Sequence, residues 1–229
     1  MFTIFESKIA HMKPMNQFNS LVFTVVFFFI FTGCKKIDGE NKPDIPESIR
    51  YYVTNIRPPY PIEGLTFLDV NSHLQTTEYT CGPAAVVSLL NHYGRQGDEM
   101  NIASEMGTSS EVGTNPEQMT AWLNNNGFEA GWHQEGTLQM LQDNLADSIP
   151  TLIEWSDWGG HWVLVIGYDI RDPNNIMDDV IIFADPYDYH DDNPDGITWF
   201  NAQRFYYMWY DALLFGSVMK RVYINAMPE

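Results

Sequence analysis

The hydrophobic period of this chain changes once, near residue 150, and that change constrains its fold more than any other feature. Before it, apolar residues recur at helical spacing. AAVVSLL leads residues 82–93 to a stop at Gly94, and Pro83 is acceptable only in a first helical turn, where its missing N–H is no loss. MNIASEM (100–106) ends at Gly107, Asn115-Pro116 caps and opens a helix that stops at Gly127, and LQMLQDNLAD (138–147) forms another. After it, the runs are strand-like: PTLIEW (150–155), HWVLVIGYDI (161–170), DVIIFA (179–184) and RVYINA (221–226). The aromatic stretch FNAQRFYYMWYD (200–211) has helical spacing and reads as packing. Helices first and antiparallel strands afterwards specify an α+β domain, and 229 residues at 45% hydrophobic suffice for one substantial core.

The N-terminal region has a different character. LVFTVVFFFIF (21–31) is an unbroken apolar run followed by Thr32-Gly33-Cys34. Eleven residues span roughly 16 Å as a helix, about half a bilayer core, which suits the apolar part of an export signal and not a membrane span. The ending FTGC resembles the lipobox of bacterial lipoprotein signals, with Phe31 where Leu is usual. The expected organisation is therefore a signal peptide over 1–33, in which Met12-Lys13-Pro14-Met15 offers a better placed translation start than Met1, and lipidated Cys34 followed to residue 64 by a Pro- and charge-rich extended tether. The folded domain is expected over 65–229. This predicts an exported cell-envelope lipoprotein held to a membrane through lipid on Cys34. A net charge of −18 argues against a nucleic-acid partner and against electrostatic attachment to anionic lipid. With Cys34 in a thioether, Cys81 is the remaining thiol of the 229 residues.

Cys81 stands at the mouth of a helix, in QTTEYTCGPAA (75–85). Unpaired backbone N–H groups and the positive end of the helix dipole favour thiolate there. By itself such a cysteine also fits as a small apolar filler, so a base is required. His161 opens a strand directly after Trp158-Gly159-Gly160, where the missing side chains leave room for a ligand backbone. His73, His92, His133 and His190 read as surface or turn residues. If 161–168 runs out and 179–184 returns antiparallel, Asp185 comes back beside His161, while Asp172 lies about 30 Å away at the far end. Asp185 can then orient the imidazole and stabilise its cation, with Asp188 in reserve. Gln75, upstream of the nucleophile loop, can supply one oxyanion donor and the Cys81 amide the other. Trp158, Gly159 and Gly160 are the expected substrate-binding residues.

In this order, QTTEYTCGPAA, GGHWVLVIGYD and IIFADPYD resemble the Gln/Cys, His and Asp blocks of the bacteriocin-processing, double-glycine cysteine peptidases (family thirty-nine) and their stand-alone relatives in the papain-like clan. The resemblance spans roughly residues 65–225. It implies a papain-like fold, N-terminal helices packed on an antiparallel sheet, and peptide-bond hydrolysis through a thioester by Cys81, His161, Asp185 and Gln75. No GxxxxGK[ST] segment occurs in the 229 residues, so no nucleotide partner and no fused exporter are expected. The expected partner is a peptide or protein substrate, and the chemistry needs no cofactor. Two alternatives remain open: an amidase or acyl transferase acting on cell-wall peptides, and a non-catalytic lipoprotein that binds in a papain-like groove. No metal site is expected: Asp191–Gly196 resembles half a calcium loop, but Ala202 stands where an EF-hand needs its Glu, and Cys81 and His161 lack further zinc ligands.

Overall fold

The computed structural model describes residues 45–60, 62–188, 193–211 and 218–229. The expected signal run, Cys34 and part of the acidic loop at 189–192 lie outside the described residues.

The change of period marks a change of layer. Helix α1 (Glu47–Tyr51) and strand β1 (Leu65–Phe67) come first. Helices α2 (Cys81–His92), α3 (Glu99–Met106) and α4 (Pro116–Asn125) follow. Strand β2 (Phe128–His133) and helix α5 (Leu138–Ala146) lead to the central strands β3 (Thr151–Trp155), β4 (His161–Asp169) and β5 (Val180–Ala184). Strand β6 (Ile197–Asn201), helix α6 (Ala202–Met208) and strand β7 (Tyr223–Pro228) complete the chain.

The strands form one antiparallel sheet in the order β2-β7-β3-β4-β5-β6, with β1 beside the far end of β4. Every residue of β3, β4 and β5 is buried, so these strands read as continuous apolar runs. Helix α2 packs on this central part of the sheet, and Ala84, Ala85, Val86 and Leu89 are fully buried. Small side chains at 84 and 85 let the N-terminus of α2 approach the start of β4. The expected helix starts hold for local reasons. Asn115 and Gln118 form a reciprocal capping box at α4, and Asp98 and Thr137 cap α3 and α5. Phe205 and Trp209 of the aromatic stretch are core residues, Phe205 against Trp155 and Phe183 and Trp209 stacked on Phe205, as its packing reading requires.

The N-terminal boundary departs from expectation. The sequence predicts an extended tether up to residue 64, but residues 47–56 are helical and docked on the domain. Ile49 and Tyr52 enter the core, 2% and 1% exposed. The Tyr52 hydroxyl donates to Asp169 Oδ2 at 2.7 Å, and buried Arg57 Nη2 donates to Asp169 Oδ1 at 2.8 Å. The domain therefore includes this segment, and its polar composition reflects partners on the end of β4 rather than solvent.

Candidate active site

The thiol of Cys81 is set by the start of α2. Its N-cap Thr80 makes no capping hydrogen bond from its side chain, since Thr80 Oγ1 is engaged with Thr77. The first amides of the helix are thus left to a negative group beside them. The amides of Gly82 and Trp162 both favour a negative sulfur there.

His161 is the first residue of β4, paired with Trp155 across the ladder, and is 4% exposed. Its Nε2 lies 2.7 Å from Asp185 Oδ1, which leaves Nδ1 as the nitrogen able to face the Cys81 thiol, with which the ring lines one cleft. The β4–β5 ladder ends at Leu164 opposite Ala184, after a bulge between Val165 and Gly167. Asp185 therefore lies just beyond the ladder and reaches His161 diagonally rather than as a direct cross-strand neighbour. Two further donors hold the carboxylate: the Tyr187 amide to Oδ1 and the Thr198 hydroxyl to Oδ2, each at 2.9 Å. Asp188 accepts the Gly196 amide at 2.7 Å and closes the same loop, and Asp172 caps a turn at the other end of the hairpin.

These contacts set the charges. Burial alone pushes the Cys81 thiol up, but the His161 imidazole, through hydrogen bond and charge, and the Trp162 and Gly82 amides outweigh it, so the thiol lies below its ordinary value. Burial pulls His161 down, but the hydrogen bond to Asp185, then that to Cys81 and the two charges, push it up to about 10. Asp185 is raised by burial and held below the usual carboxylate range by His161, Tyr187 and Thr198. A thiol that deprotonates below the pH at which its neighbouring imidazolium does so exists as a thiolate–imidazolium pair between the two.

Gln75 sits on the loop ahead of α2, tied to the Asp185 loop by its amide, which donates to the Pro186 carbonyl at 2.9 Å. Its Nε2 donates one N–H to the Thr77 carbonyl at 2.7 Å and keeps a second. Glu99 anchors the loop by accepting from the Thr76 amide and hydroxyl and pairing with His73, so His73 is more than the surface residue expected. Gln75, Cys81, His161, Trp158, Gly160 and Tyr187 line one cleft of about 260 Å³. The backbone is left-handed at Trp158, Gly159 and Gly160 (φ 52°, 87° and 128°). For Trp158 this costs roughly 1–2 kcal/mol, and the turn leaves its indole 68% exposed, edge-on to Tyr187. A bend of this sequence suits only glycine at its last two positions.

Thr198, Tyr187 and the Trp162 amide join the site without a sequence signal, as does Glu154 on β3. Glu154 is 1% exposed and lines a second cleft that also includes Cys81. Among the described residues, no group of three or more His, Cys, Asp or Glu is placed to hold a metal ion.

No curated protein is similar to the chain. The peptidase domain of Streptococcus ComA, a bi-functional ABC transporter involved in quorum sensing, superposes with a TM-score of 0.52 at 17% identity, over 71% of this chain and 99% of that one. A C39-like peptidase from Bacillus anthracis gives 0.50 at 15% identity, over 72% and 98%. A double glycine motif protease from an AMS/PCAT transporter, solved with its leader peptide, gives 0.46 at 16%, over 71% and 94%. At these identities the first two likenesses show the fold, a papain-like α+β arrangement. The model of the Peptidase_C39 like family matches residues 67–212, well over half of the sequence. The chain belongs to that family, and family and fold together support a cysteine peptidase.

Proposed function

We propose that the protein is an exported, lipid-anchored cysteine peptidase that hydrolyses peptide bonds through a thioester on Cys81. The observation that carries the reading is that Cys81 and His161, from distant parts of the chain, line one cleft, with the Asp185 carboxylate hydrogen-bonded to the imidazole. The Cys81 thiolate attacks the scissile carbonyl carbon, forming a C–S bond. The oxygen turns negative between the second N–H of Gln75 and the Cys81 amide. As the C–N bond breaks, His161 gives its proton to the leaving amine. A water molecule then loses a proton to His161 and attacks the thioester, and the C–S bond breaks to return the thiolate. Asp185 keeps the ring oriented throughout and stabilises its cationic form before acylation and during deacylation. Trp158, Gly159 and Gly160 form the wall along which the peptide backbone lies. Export and lipidation rest on the run at 21–31 and the ending FTGC.

A peptide library incubated with the full chain and read by mass spectrometry tests the chemistry. Cleavage that disappears in Cys81→Ala is expected, whereas cleavage absent from the wild type or surviving in the variant refutes it. For the anchor, mature protein carrying diacylglycerol on Cys34 is expected, and Cys34→Ala should remain unlipidated.

A further inference from the structure

The cleft that contains Glu154 lies beside Cys81 and shares Glu78, Trp158 and Gly160 with the one holding Gln75 and His161. It is bounded by the loop of Glu111–Thr114 and by Trp162, whose indole is fixed by a 2.9 Å hydrogen bond to the Thr114 carbonyl. Glu154 stands opposite Trp162 in the β3–β4 ladder, so the two side chains leave the sheet on one face. Its Oε2 is buried without a hydrogen-bond partner, although the residue is 1% exposed.

A carboxyl in that position is costly. Burial first, then the charges of Asp211 and Cys81, push Glu154 up to about 9. The described residues lining the cleft include Glu78 and Glu111 and no Lys or Arg. A buried acid without a cation, facing a cleft with an acidic rim, is an incomplete ion pair.

We propose that this cleft is a cation-selecting subsite, in which Glu154 receives the Lys or Arg side chain of a peptide next to the bond being cut. It rests on the peptidase reading of Cys81. The volume is adequate. A cleft of about 200 Å³ holds six or seven waters at about 30 Å³ each, and Lys and Arg side chains have five and seven heavy atoms. Their methylene stems lie along Trp162 while the charged end reaches the floor. As the cation enters, Glu154 releases its proton to solvent, and the pair is completed by a charge-assisted hydrogen bond. The acidic rim draws basic peptides toward the site. Substrates with Lys or Arg within two residues of the cut bond are thereby selected over neutral ones of equal length.

Methanethiosulfonates read this subsite without requiring turnover, because the Cys81 thiolate attacks them directly, with Cys81→Ala as the blank. Each rate is first divided by that of the same reagent with a free thiol. The cationic 2-aminoethyl reagent should then label the wild-type full chain about tenfold or more faster than the neutral methyl reagent, the size of one charge-assisted hydrogen bond. Glu154→Gln should remove most of that preference. In the wild type, n-butylguanidine should protect Cys81 from iodoacetamide and n-butylurea should not, which tests the subsite even if the variant fails to fold. Equal labelling by the two reagents, an unchanged preference in folded Glu154→Gln, or equal protection by the two ligands would overturn the proposal. A labelling preference without peptide cleavage would support the subsite and count against the peptidase reading alone.

Discussion

Replacing Asp185 by Asn separates charge from position at the centre of the site. Asn keeps an oxygen to accept from His161 Nε2, so the 2.7 Å contact can persist. It also keeps a group between the Tyr187 amide and the Thr198 hydroxyl. What disappears is the negative charge of Asp185, which strengthens the hydrogen bond that leads the causes holding His161 at about 10 and adds its own attraction to the imidazolium. A carboxylate in contact with a cationic partner moves its pKa by about 1–3 units, or roughly 1.4–4 kcal/mol. The ratio of thiolate–imidazolium to the neutral pair should therefore fall by about 10- to 1,000-fold. The direction follows from the coupling. A weaker imidazolium stabilises the thiolate less, so the Cys81 pKa rises and the thiolate appears at higher pH. Iodoacetamide reports the thiolate, and wild-type labelling should be nearly flat from about pH 8 down to about pH 6. In Asp185→Asn the inflection should move up by about one unit or more, with labelling at pH 6 about tenfold or more slower. Superimposable profiles in a variant whose near-ultraviolet circular dichroism is unchanged would refute the charge role assigned to Asp185.

Three further outcomes follow from the same structure. Gln75→Ala should lower kcat by about 10²–10³ with little change in KM, since one oxyanion donor is removed; steady-state kinetics with an unchanged kcat would remove Gln75 from the mechanism. Glu154 has a folded pKa of about 9, well above its ordinary value of 4.5. The folded state thus binds the extra proton between those values and loses stability as pH rises through that window. Glu154→Gln should flatten the urea-denaturation stability between pH 5 and 8 by as much as about 1.4 kcal/mol per pH unit, and an unchanged slope would place the ionisation elsewhere. Arg57→Met should cost about 3 kcal/mol, because Asp169 stays buried with Tyr52 and the more distant Arg171 but loses its closest cation; a loss below about 1 kcal/mol in the urea midpoint would make the 47–57 segment peripheral to stability.

Much of the site was legible because the deciding facts were local or followed from strand arithmetic. Helix starts are written in caps, first-turn prolines and terminal glycines, and that is sufficient to put Cys81 at the mouth of α2. The choice of Asp185 over Asp172 needed only the direction of one hairpin. The ladder register continues to place Asp185 level with Val163, two residues from His161, and the bulge in β4 brings it one residue nearer than the far part of the hairpin would, so a carboxylate on a short side chain spans the gap diagonally.

The docked segment at 47–57 was not legible, because its meaning depends on Asp169, 112 residues from Arg57 and 117 from Tyr52. In sequence those side chains have the composition of a solvated linker. Glu154 was hidden in the same way, inside a run read as an apolar strand, as was Thr198 on β6. Periodicity, caps and turn residues act over a few positions and so determine the helices, the strands and the place of Cys81 at a helix start. Which polar groups meet across the sheet is a matter of three-dimensional register. Tertiary packing alone decided that the His161 ring and the Cys81 thiol line one cleft, that the N-terminal segment closes over Asp169, and that the Glu154 carboxyl lies buried in a cleft beside Cys81.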